Sequence, residues 1–361
     1  MSRSDRAIAA ALCRWFESSA RALPWREPTR DGYRALVSEF MLQQTQVSRV
    51  VERYETFLAR FPDVQALARA REASVLAMWS GLGYYRRARL LHAAARRIVA
   101  EHAGRVPCRA DDLVTLPGVG AYTAGAIGSI VFGERVTAVD GNVVRVLLRL
   151  EGAEVSTAQG RALAEDRALA LVQATGDPGA LNEGLMELGA TVCTPRAARC
   201  DECPIRRWCV ASKENTVDSI PAPAQRVAKK KLWCASVVVE DRQGRVLLER
   251  RAPGGLWSGL WQAPTLERHD RRVRAAEIAA HVGIGQVRRL ASIERVLTHR
   301  LVRFDVYRGV GDVNGTFKSA RQLRRLGMSN AQREVLAIGG IPYMADDGAK
   351  GGKLLACSSA S

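Results

Sequence analysis

Four cysteines, Cys193, Cys200, Cys203 and Cys209, follow one another in the spacing C-x6-C-x2-C-x5-C. No other feature of the chain limits its folding so sharply. Thiolates this close in sequence can wrap one metal centre and close the loop that carries them. Four-cysteine sites hold either zinc or an iron-sulfur cube, and this spacing is not the paired C-x2-C arrangement of a zinc ribbon. Arg196, Arg199, Arg206 and Arg207 surround the loop, so its surface is basic whatever the metal. Cys13, Cys108, Cys234 and Cys357 are isolated.

At 361 residues the chain exceeds the usual size of one hydrophobic core, which favours two domains. From about Asp5 to Val210 the apolar residues recur at helical steps. Val47, Val50, Val51, Tyr54, Phe57, Leu58 and Phe61 form one stripe that Pro62-Asp63 ends, and shorter helices are predicted over Val64 to Ala70, Ala73 to Ser80 and Leu90 to His102. Residues 1–210 therefore read as an all-α domain. Residues 211–231 are polar, basic and Pro-containing, as a linker is. Beyond them the period changes to two. Ala235 to Glu240 and Arg245 to Glu249 flank Asp241-Arg242-Gln243-Gly244 and predict a hairpin; a helix follows at Arg274 to His281 and a strand at Leu301 to Tyr307. Residues 232–345 thus form a smaller α+β domain, and 346–361 a disordered tail.

The formal net charge is +17, which points to a polyanionic partner such as nucleic acid, although codon bias toward arginine gives the same excess. Of the 54 basic residues only seven are lysines, and none precedes Lys213. A lysine Schiff base is therefore unavailable in the first 212 residues. No stretch approaches the ~20 apolar residues that cross a bilayer, and Arg14 and Glu17 stand where a signal peptide has its cleavage region. A cytoplasmic protein is expected, nucleoid-associated if the source is bacterial, and there a tight cysteine cluster is more often a metal site than a set of disulfides.

Leu116-Pro117-Gly118-Val119-Gly120-Ala121-Tyr122-Thr123-Ala124-Gly125 reads as a helix end, a tight turn and a new helix start. Its glycines let the backbone turn and let a phosphate approach the N–H groups of Gly118 and Gly120. A plain helix-helix turn is the alternative. Asp140 lies between apolar Ala138-Val139 and the helical run from Val143, where it could simply cap that helix. Glu39 sits beside Phe40, Met41 and Leu42, an apolar setting that would raise its pKa. Its alternative is a first-turn helix residue favoured by the dipole.

These segments resemble known ones. The cysteine loop, with Pro204 after its third cysteine, resembles that of the endonuclease III superfamily, as does the hairpin followed by Val139-Asp140-Gly141-Asn142. Leu23-Pro24-Trp25-Arg26, Ser38 to Val47 and Gly81 to Arg89 closely resemble the signature segments of the adenine DNA glycosylase, or MutY, family. The resemblance is strong over residues 20 to 210 and weaker over 232 to 308. It implies a helix-hairpin-helix glycosylase domain with one 4Fe-4S cluster on Cys193, Cys200, Cys203 and Cys209. It further implies that Glu39 protonates N7 of adenine and later helps activate water, that Asp140 stabilises or traps the sugar cation, and that Tyr122 and Asn142 position them. Breaking an N-glycosidic bond calls for two such carboxyls in different protonation states, so Asp140 is expected to stay ionised. Trp25, Arg26 and Glu183 match positions lining the adenine pocket. Gln44 and Tyr84 match residues inserted near the opposite base, with Leu82 beside them, since the base must be flipped out of the duplex. Arg86, Arg87 and Arg89 are expected to meet phosphates.

Bifunctional relatives such as endonuclease III carry a lysine where this chain has Tyr122, so a monofunctional enzyme is expected. Gly254 to Pro264 looks like part of the family's Nudix-related C-terminal domain. Ala280 and His281 occupy the places of the two metal-binding glutamates of a working Nudix box, so the domain reads as a lesion reader. Leu297-Thr298-His299 matches the family's Phe-Ser-His-type loop, with Thr298 and His299 as candidate contacts to 8-oxoguanine. The resemblance thus implies a monomeric enzyme of base excision repair, acting on duplex DNA with adenine opposite 8-oxoguanine or guanine. Two other readings are an oxidised-pyrimidine glycosylase/lyase of the endonuclease III type and a non-catalytic, cluster-bearing DNA-binding protein. The lysine-free first 212 residues disfavour the former, and a binder needs neither Glu39 nor Asp140.

Overall fold

Aspartates start three of the helices that carry the chemistry. Asp31, Asp140 and Asp177 each accept a backbone N–H from three residues ahead at 2.8 Å, from Arg34, Val143 and Ala180. Such caps satisfy donors that a helix end leaves bare and set where the helix begins. The computed structural model describes residues 2–223, 228–252, 254–297, 299–311, 313–341 and 354–355. Its helices are α1 (Arg3–Ser19), α2 (Gly32–Leu42), α3 (Val47–Arg60), α4 (Val64–Arg69), α5 (Glu72–Met78), α6 (Arg86–Glu101), α7 (Ala110–Leu113), α8 (Ala121–Phe132), α9 (Gly141–Glu151), α10 (Arg161–Gln173), α11 (Pro178–Thr191), α12 (Val210–Lys213), α13 (Ala275–Val282), α14 (Ala320–Leu323) and α15 (Asn330–Ile338). The strands are β1 (Lys230–Val239), β2 (Val246–Arg250), β3 (Trp261–Gln262), β4 (Thr265–Arg268), β5 (Val287–Val296), β6 (Arg300–Gly309), β7 (Thr316–Lys318) and β8 (Leu354–Leu355). Among the described residues no helix is long and apolar enough to cross a membrane.

The chain divides into two compact units, Met1–Arg69 with Leu90–Arg226, and Ala70–Arg89 with Val227–Ser361. In the first unit α9 is buried along most of its length, packing Val143, Leu147 and Leu148 against Leu12 of α1, Leu171 of α10 and Leu185 of α11. The predicted stripe buries Val50, Tyr54, Phe57, Leu58 and Phe61, whereas Val51 is 40% exposed and flanks a surface cleft instead. The expected linker begins as part of this unit. Ala211 and Ile220 are buried, the Ile220 carbonyl accepts from Arg149 Nε at 2.8 Å, and the Ala222 N–H donates to Val155 O at 3.0 Å. A buried guanidinium must find acceptors, and this stretch of backbone supplies one.

The second unit holds a five-stranded sheet ordered β4-β1-β6-β5-β8 and a three-stranded sheet ordered β3-β2-β7. Strands β1 and β6 run parallel over ten paired residues, with α13 packed on one face and α15 on the other. The predicted 235–249 hairpin is corrected here. Its turn forms, with Asp241 Oδ1 accepting the N–H groups of Gln243 and Arg245. The strands then part into different sheets, sharing one Glu240–Val246 bridge, because β1 pairs over far greater length with β6. The expected tail, 346–361, lies outside the described residues except for Leu354–Leu355, which pairs with Ile293 and Ser292 of β5 rather than standing apart from the fold.

Residues 70–89 read as helical-domain sequence yet pack with the second unit. Tyr85 OH donates to Met328 O at 2.6 Å, Arg89 Nη2 donates to Ser258 O at 2.7 Å, and a Cβ on Gly327 would stand 3.0 Å from Leu76 Cβ. Trp79, Leu76 and Tyr85 are buried there. Sequence order places this segment within the helical run, but periodicity says only which face is buried, not against what.

Candidate active site

A cavity of about 230 Å³ in the first unit is lined by Trp25, Arg26, Glu39, Tyr122, Asp140, Asn142 and Glu183, together with Arg21, Arg30 and Glu187. The residues come from the segment before α2 and from α2, α8, α9, its cap, and α11. Seven of the residues picked out from sequence thus meet in one place.

Glu39 stands in the last turn of α2, not the first, so the helix dipole works against its charge rather than for it. Burial, then the nearby Asp140 and Glu183 carboxylates, push its carboxyl up to about 8, and the hydrogen bond from Tyr122 only partly offsets this. Its Oε2 is shut from solvent and has no hydrogen-bond partner in the structure. A buried carboxyl oxygen without a partner is costly to ionise, which accords with the raised pKa. Burial, with Glu39 and Asp140 nearby, also holds the Tyr122 hydroxyl well above its ordinary range, so it stays a proton donor.

Asp140 both caps and faces the cavity. One oxygen accepts the Val143 N–H at 2.8 Å; the other accepts from Asn142 Nδ2 at 3.0 Å. The capping bond therefore leaves Asp140 on the cavity wall. Asn142 is itself held by Arg145, whose Nη2 donates to Asn142 Oδ1 at 3.0 Å and to Gly189 O at 2.8 Å, while its Nε donates to Cys193 O at 2.9 Å.

Sequence reasoning missed the arginine-carboxylate network behind the pocket. Glu183 accepts from Arg26 Nε at 3.1 Å and from Arg30 Nη2 at 2.6 Å; Glu187 accepts from Arg21 Nε at 2.6 Å and from Arg26 Nη2 at 3.0 Å. Burial raises Glu183 despite its two arginines, whereas at Glu187 Arg21 and Arg26 outweigh burial and hold the carboxyl below its usual range. The available signal was Glu187 one helical turn after Glu183, facing an arginine-rich segment.

The hairpin forms as predicted. Gly118 has φ 81°, and a Cβ there would stand 2.7 Å from Leu90 Cβ; at Gly120, which caps α8, a Cβ would meet nothing within 4 Å. The first glycine is needed for the turn, and the second leaves the helix N-terminus open to an anion. Gln44 and Tyr84, expected to enter the base stack, both have left-handed φ, 54° and 45°, and both are exposed. Non-glycine residues held at positive φ store strain, and such strain gathers at functional loops. Leu82, expected beside them, is buried.

Two of the three arginines after Tyr84 also depart from expectation. Arg87 is buried, donates to the carbonyls of Leu82 and Gly83 at 3.1 and 3.3 Å, and lies over the rings of Trp79 and Tyr84. Burial pushes its pKa down to about 10. Arg89 pairs with Glu72 at 3.1 Å and with Ser258 O. Both scaffold the loop, and Arg86 alone of the three is exposed.

The four cysteines line one cavity with Val146, Leu150, Leu188, Val192 and Ile205. Cys193 Sγ accepts from Arg149 Nη1 at 3.3 Å. Burial and neighbouring sulfurs raise the thiols of Cys200 and Cys209, and push that of Cys203 to about 12. Buried thiols crowding one another become thiolates when a metal centre supplies positive charge, so the donor set fits a soft metal group. Among the described residues no three His, Cys, Asp or Glu converge closely enough to hold a single ion. In the second unit Thr298 lies outside the described residues, His299 is exposed, and α13 carries Ala280 and His281.

Comparison with known proteins agrees with this geometry. Residues 37–167 match the HhH-GPD superfamily base excision DNA repair protein family, and 235–337 match the NUDIX domain. The chain is 33% identical to the adenine DNA glycosylase of Rattus norvegicus over 91% of its own length and 77% of that protein. It is 44% identical to the adenine DNA glycosylase of Mycolicibacterium smegmatis over 55% of its length and 68% of that protein. Among solved structures, a thermostable thymine-DNA glycosylase matches 58% of the chain and 98% of its own, at 28% identity and a TM-score of 0.53.

Proposed function

The chain belongs to the adenine DNA glycosylase family, and on that premise we propose that it removes adenine mispaired with 8-oxoguanine or guanine from duplex DNA, monofunctionally, leaving an abasic site. The observation that carries this reading is the pairing of two unlike carboxyls in one cavity, Glu39 pushed up to about 8 and Asp140 bonded by two N–H donors.

Glu39 enters as the acid. Its proton passes to N7 of the flipped adenine, the glycosidic bond breaks toward the base, and the sugar is left as an oxocarbenium ion opposite the Asp140 carboxylate. The resulting Glu39 carboxylate can then take a proton from water as that water adds to the sugar. Tyr122, whose hydroxyl donates to Met186 Sδ at 3.6 Å, lies beside Glu39 and tempers its raised pKa, while Arg145 holds Asn142, which holds Asp140. Glu183, fixed by Arg26 and Arg30, offers an acceptor suited to an exocyclic amine. No lysine is available before Lys213 to attack the abasic sugar, which supports base removal without strand cleavage.

The cysteine loop supports a 4Fe-4S cluster, which Cys193, Cys200, Cys203 and Cys209 would hold. The four thiols line one cavity, and their spacing differs from the paired arrangement of a zinc ribbon, which favours a cube over a single zinc ion. Such a cluster would supply the charge that keeps the loop closed, with its potential open to tuning by Arg149. The +17 charge supports DNA as partner and the absence of carboxylates at 280 and 281 supports a reading rather than a hydrolysing second domain, with Thr298 and His299 as the lesion contacts.

The test is incubation with duplexes carrying adenine opposite 8-oxoguanine or thymine glycol opposite adenine, each analysed with and without hot alkali. Breaks at the mispaired adenine only after alkali are expected. Direct nicking at thymine glycol would instead assign a lyase of the endonuclease III type, and binding without any product a non-catalytic protein.

A further inference from the structure

The second unit carries a cationic surface that the adenine pocket and the lesion hairpin do not account for. Its centre is Trp233 on β1. Strand register sets Arg268 of β4 on one side of it and Arg303 of β6 on the other, and cross-strand neighbours share a face. Lys231, two residues earlier on β1, lies on that same face and is exposed. Arg272, in the turn before α13, completes the group: its guanidinium lies 5.2 Å from the Trp233 ring centre and that of Arg303 lies 5.7 Å away.

The partners of these cations are informative. Among the described residues Lys231, Arg272 and Arg303 make no ion pair, and Arg303 Nε is buried without a hydrogen-bond partner. Glu294 stands next to Arg303 in register on β5 without pairing to it, and Glu277 draws Arg268 and Arg271 toward α13. Two guanidiniums stacked on one indole are held in place by the ring rather than by carboxylates, so their N–H edges stay available to another anion.

Location selects the anion. Lys230 N–H donates to His299 O, so the group begins beside His299, a candidate lesion contact. From His299 to Arg303 is four residues, roughly 13 Å along a strand. Duplex DNA advances about 3.4 Å per base pair along its axis, which places the group a few base pairs from whatever the hairpin reads.

We propose that Lys231, Arg268, Arg272 and Arg303, organised by Trp233, form a binding site for the phosphate backbone of the DNA duplex flanking the lesion. The inference rests on the glycosylase reading for the presence of duplex DNA. It adds a sequence-independent clamp belonging to the second unit, which carries no groove-reading element of its own at this face.

The test uses the full-length protein with its cluster and two duplexes of the same sequence, one with adenine opposite 8-oxoguanine and one with adenine opposite thymine. Affinity is measured across a salt series for the parent, Arg272→Gln, the double variant Arg272→Gln/Arg303→Gln, and Arg272→Lys/Arg303→Lys. The double glutamine variant is expected to bind both duplexes more weakly and to lower the slope of log K against log salt by about 1.8, at about 0.9 per phosphate contact. Arg272→Gln, at an exposed residue, is expected to lower it by about half as much, and the double lysine variant to recover the parent slope. Single-turnover excision at saturating enzyme should match the parent in all. A parental slope in both glutamine variants overturns the proposal and leaves the surface for a partner other than DNA. Loss of slope without any excision by the parent overturns the glycosylase reading while the phosphate site stands.

Discussion

Two carboxyl groups in one cavity behave differently because their surroundings differ by a few atoms. Asp140 sits at a helix start with two N–H donors; Glu39 sits at a helix end with one oxygen unpartnered. If Glu39 acts as the acid, single-turnover excision should hold up to neutral pH and fall as pH rises through about 8, the value to which burial raises it. A rate that instead rises through that range would remove Glu39 from the acid role. The same shift acts on stability with a definite sign. Unfolded, Glu39 ionises near its ordinary 4.5; folded, it keeps its proton to about 8, so folding takes up a proton between these values. This group's stability cost is absent below about 4.5, grows through the window and is complete above 8. Glu39→Gln should therefore melt at a higher temperature than the parent at pH 8, with the difference closing toward pH 4.5, while excision drops by about 10²–10⁴-fold. Asp140→Asn keeps the cap and the cavity shape, so it should lose excision on a similar scale with mispair affinity largely kept. Equal excision by this variant and the parent would sink the mechanism.

Elements, not single residues, connect the pocket to the cysteine loop. Helix α9 begins at Asp140, and one turn in it places Arg145 between Asn142 and Cys193 O; a further turn places Arg149 on Cys193 Sγ. Arg145→Gln would leave the buried carbonyls of Gly189 and Cys193 without their donor, at about 1–3 kcal/mol each. It should lower the melting temperature, slow excision through Asn142 and, in protein loaded with the proposed cluster, hasten loss of its visible absorbance under oxidant. Unchanged cluster lifetime together with normal excision would show that the link carries nothing. The loop at 81–89 is a second such element. Gly83 O takes bonds from both Trp79 Nε1 and Arg87, and Tyr84 is thereby held at positive φ. Arg87→Ala should weaken mispair binding by a larger factor than Arg86→Ala, the reverse of the order expected if both arginines served only as phosphate contacts.

At the scale of the molecule, the division into units does not follow the division of the sequence. Residues 70–89 lean on Met328, Ser258 and Gly327, so a fragment ending at Arg226 should expose Leu76, Trp79 and Tyr85 and be cut by protease within 70–89 while the full chain resists. Equal resistance of fragment and full chain would show that the segment needs no support from the second unit. Much of the site was nonetheless legible in the amino-acid order. The cysteine spacing, the Gly118-Gly120 turn, the acid at 140 and the signature around Glu39 each depend on contacts a few residues apart, which a sequence displays directly. The lysine-free stretch before Lys213 removed a whole class of chemistry without any coordinates. What sequence could not show was long-range pairing. Arg30 meeting Glu183, Arg145 spanning from Asn142 to Cys193, Arg87 turned inward from a presumed phosphate role, and β1 leaving β2 for β6 are all choices among chemically similar partners far apart in the chain. An arginine reads the same in a sequence whether it meets solvent, a phosphate or a buried carbonyl. Only the fold decides which of these lies within 3 Å, because burial removes water as the competing partner and leaves each donor to the acceptor that packing brings to it.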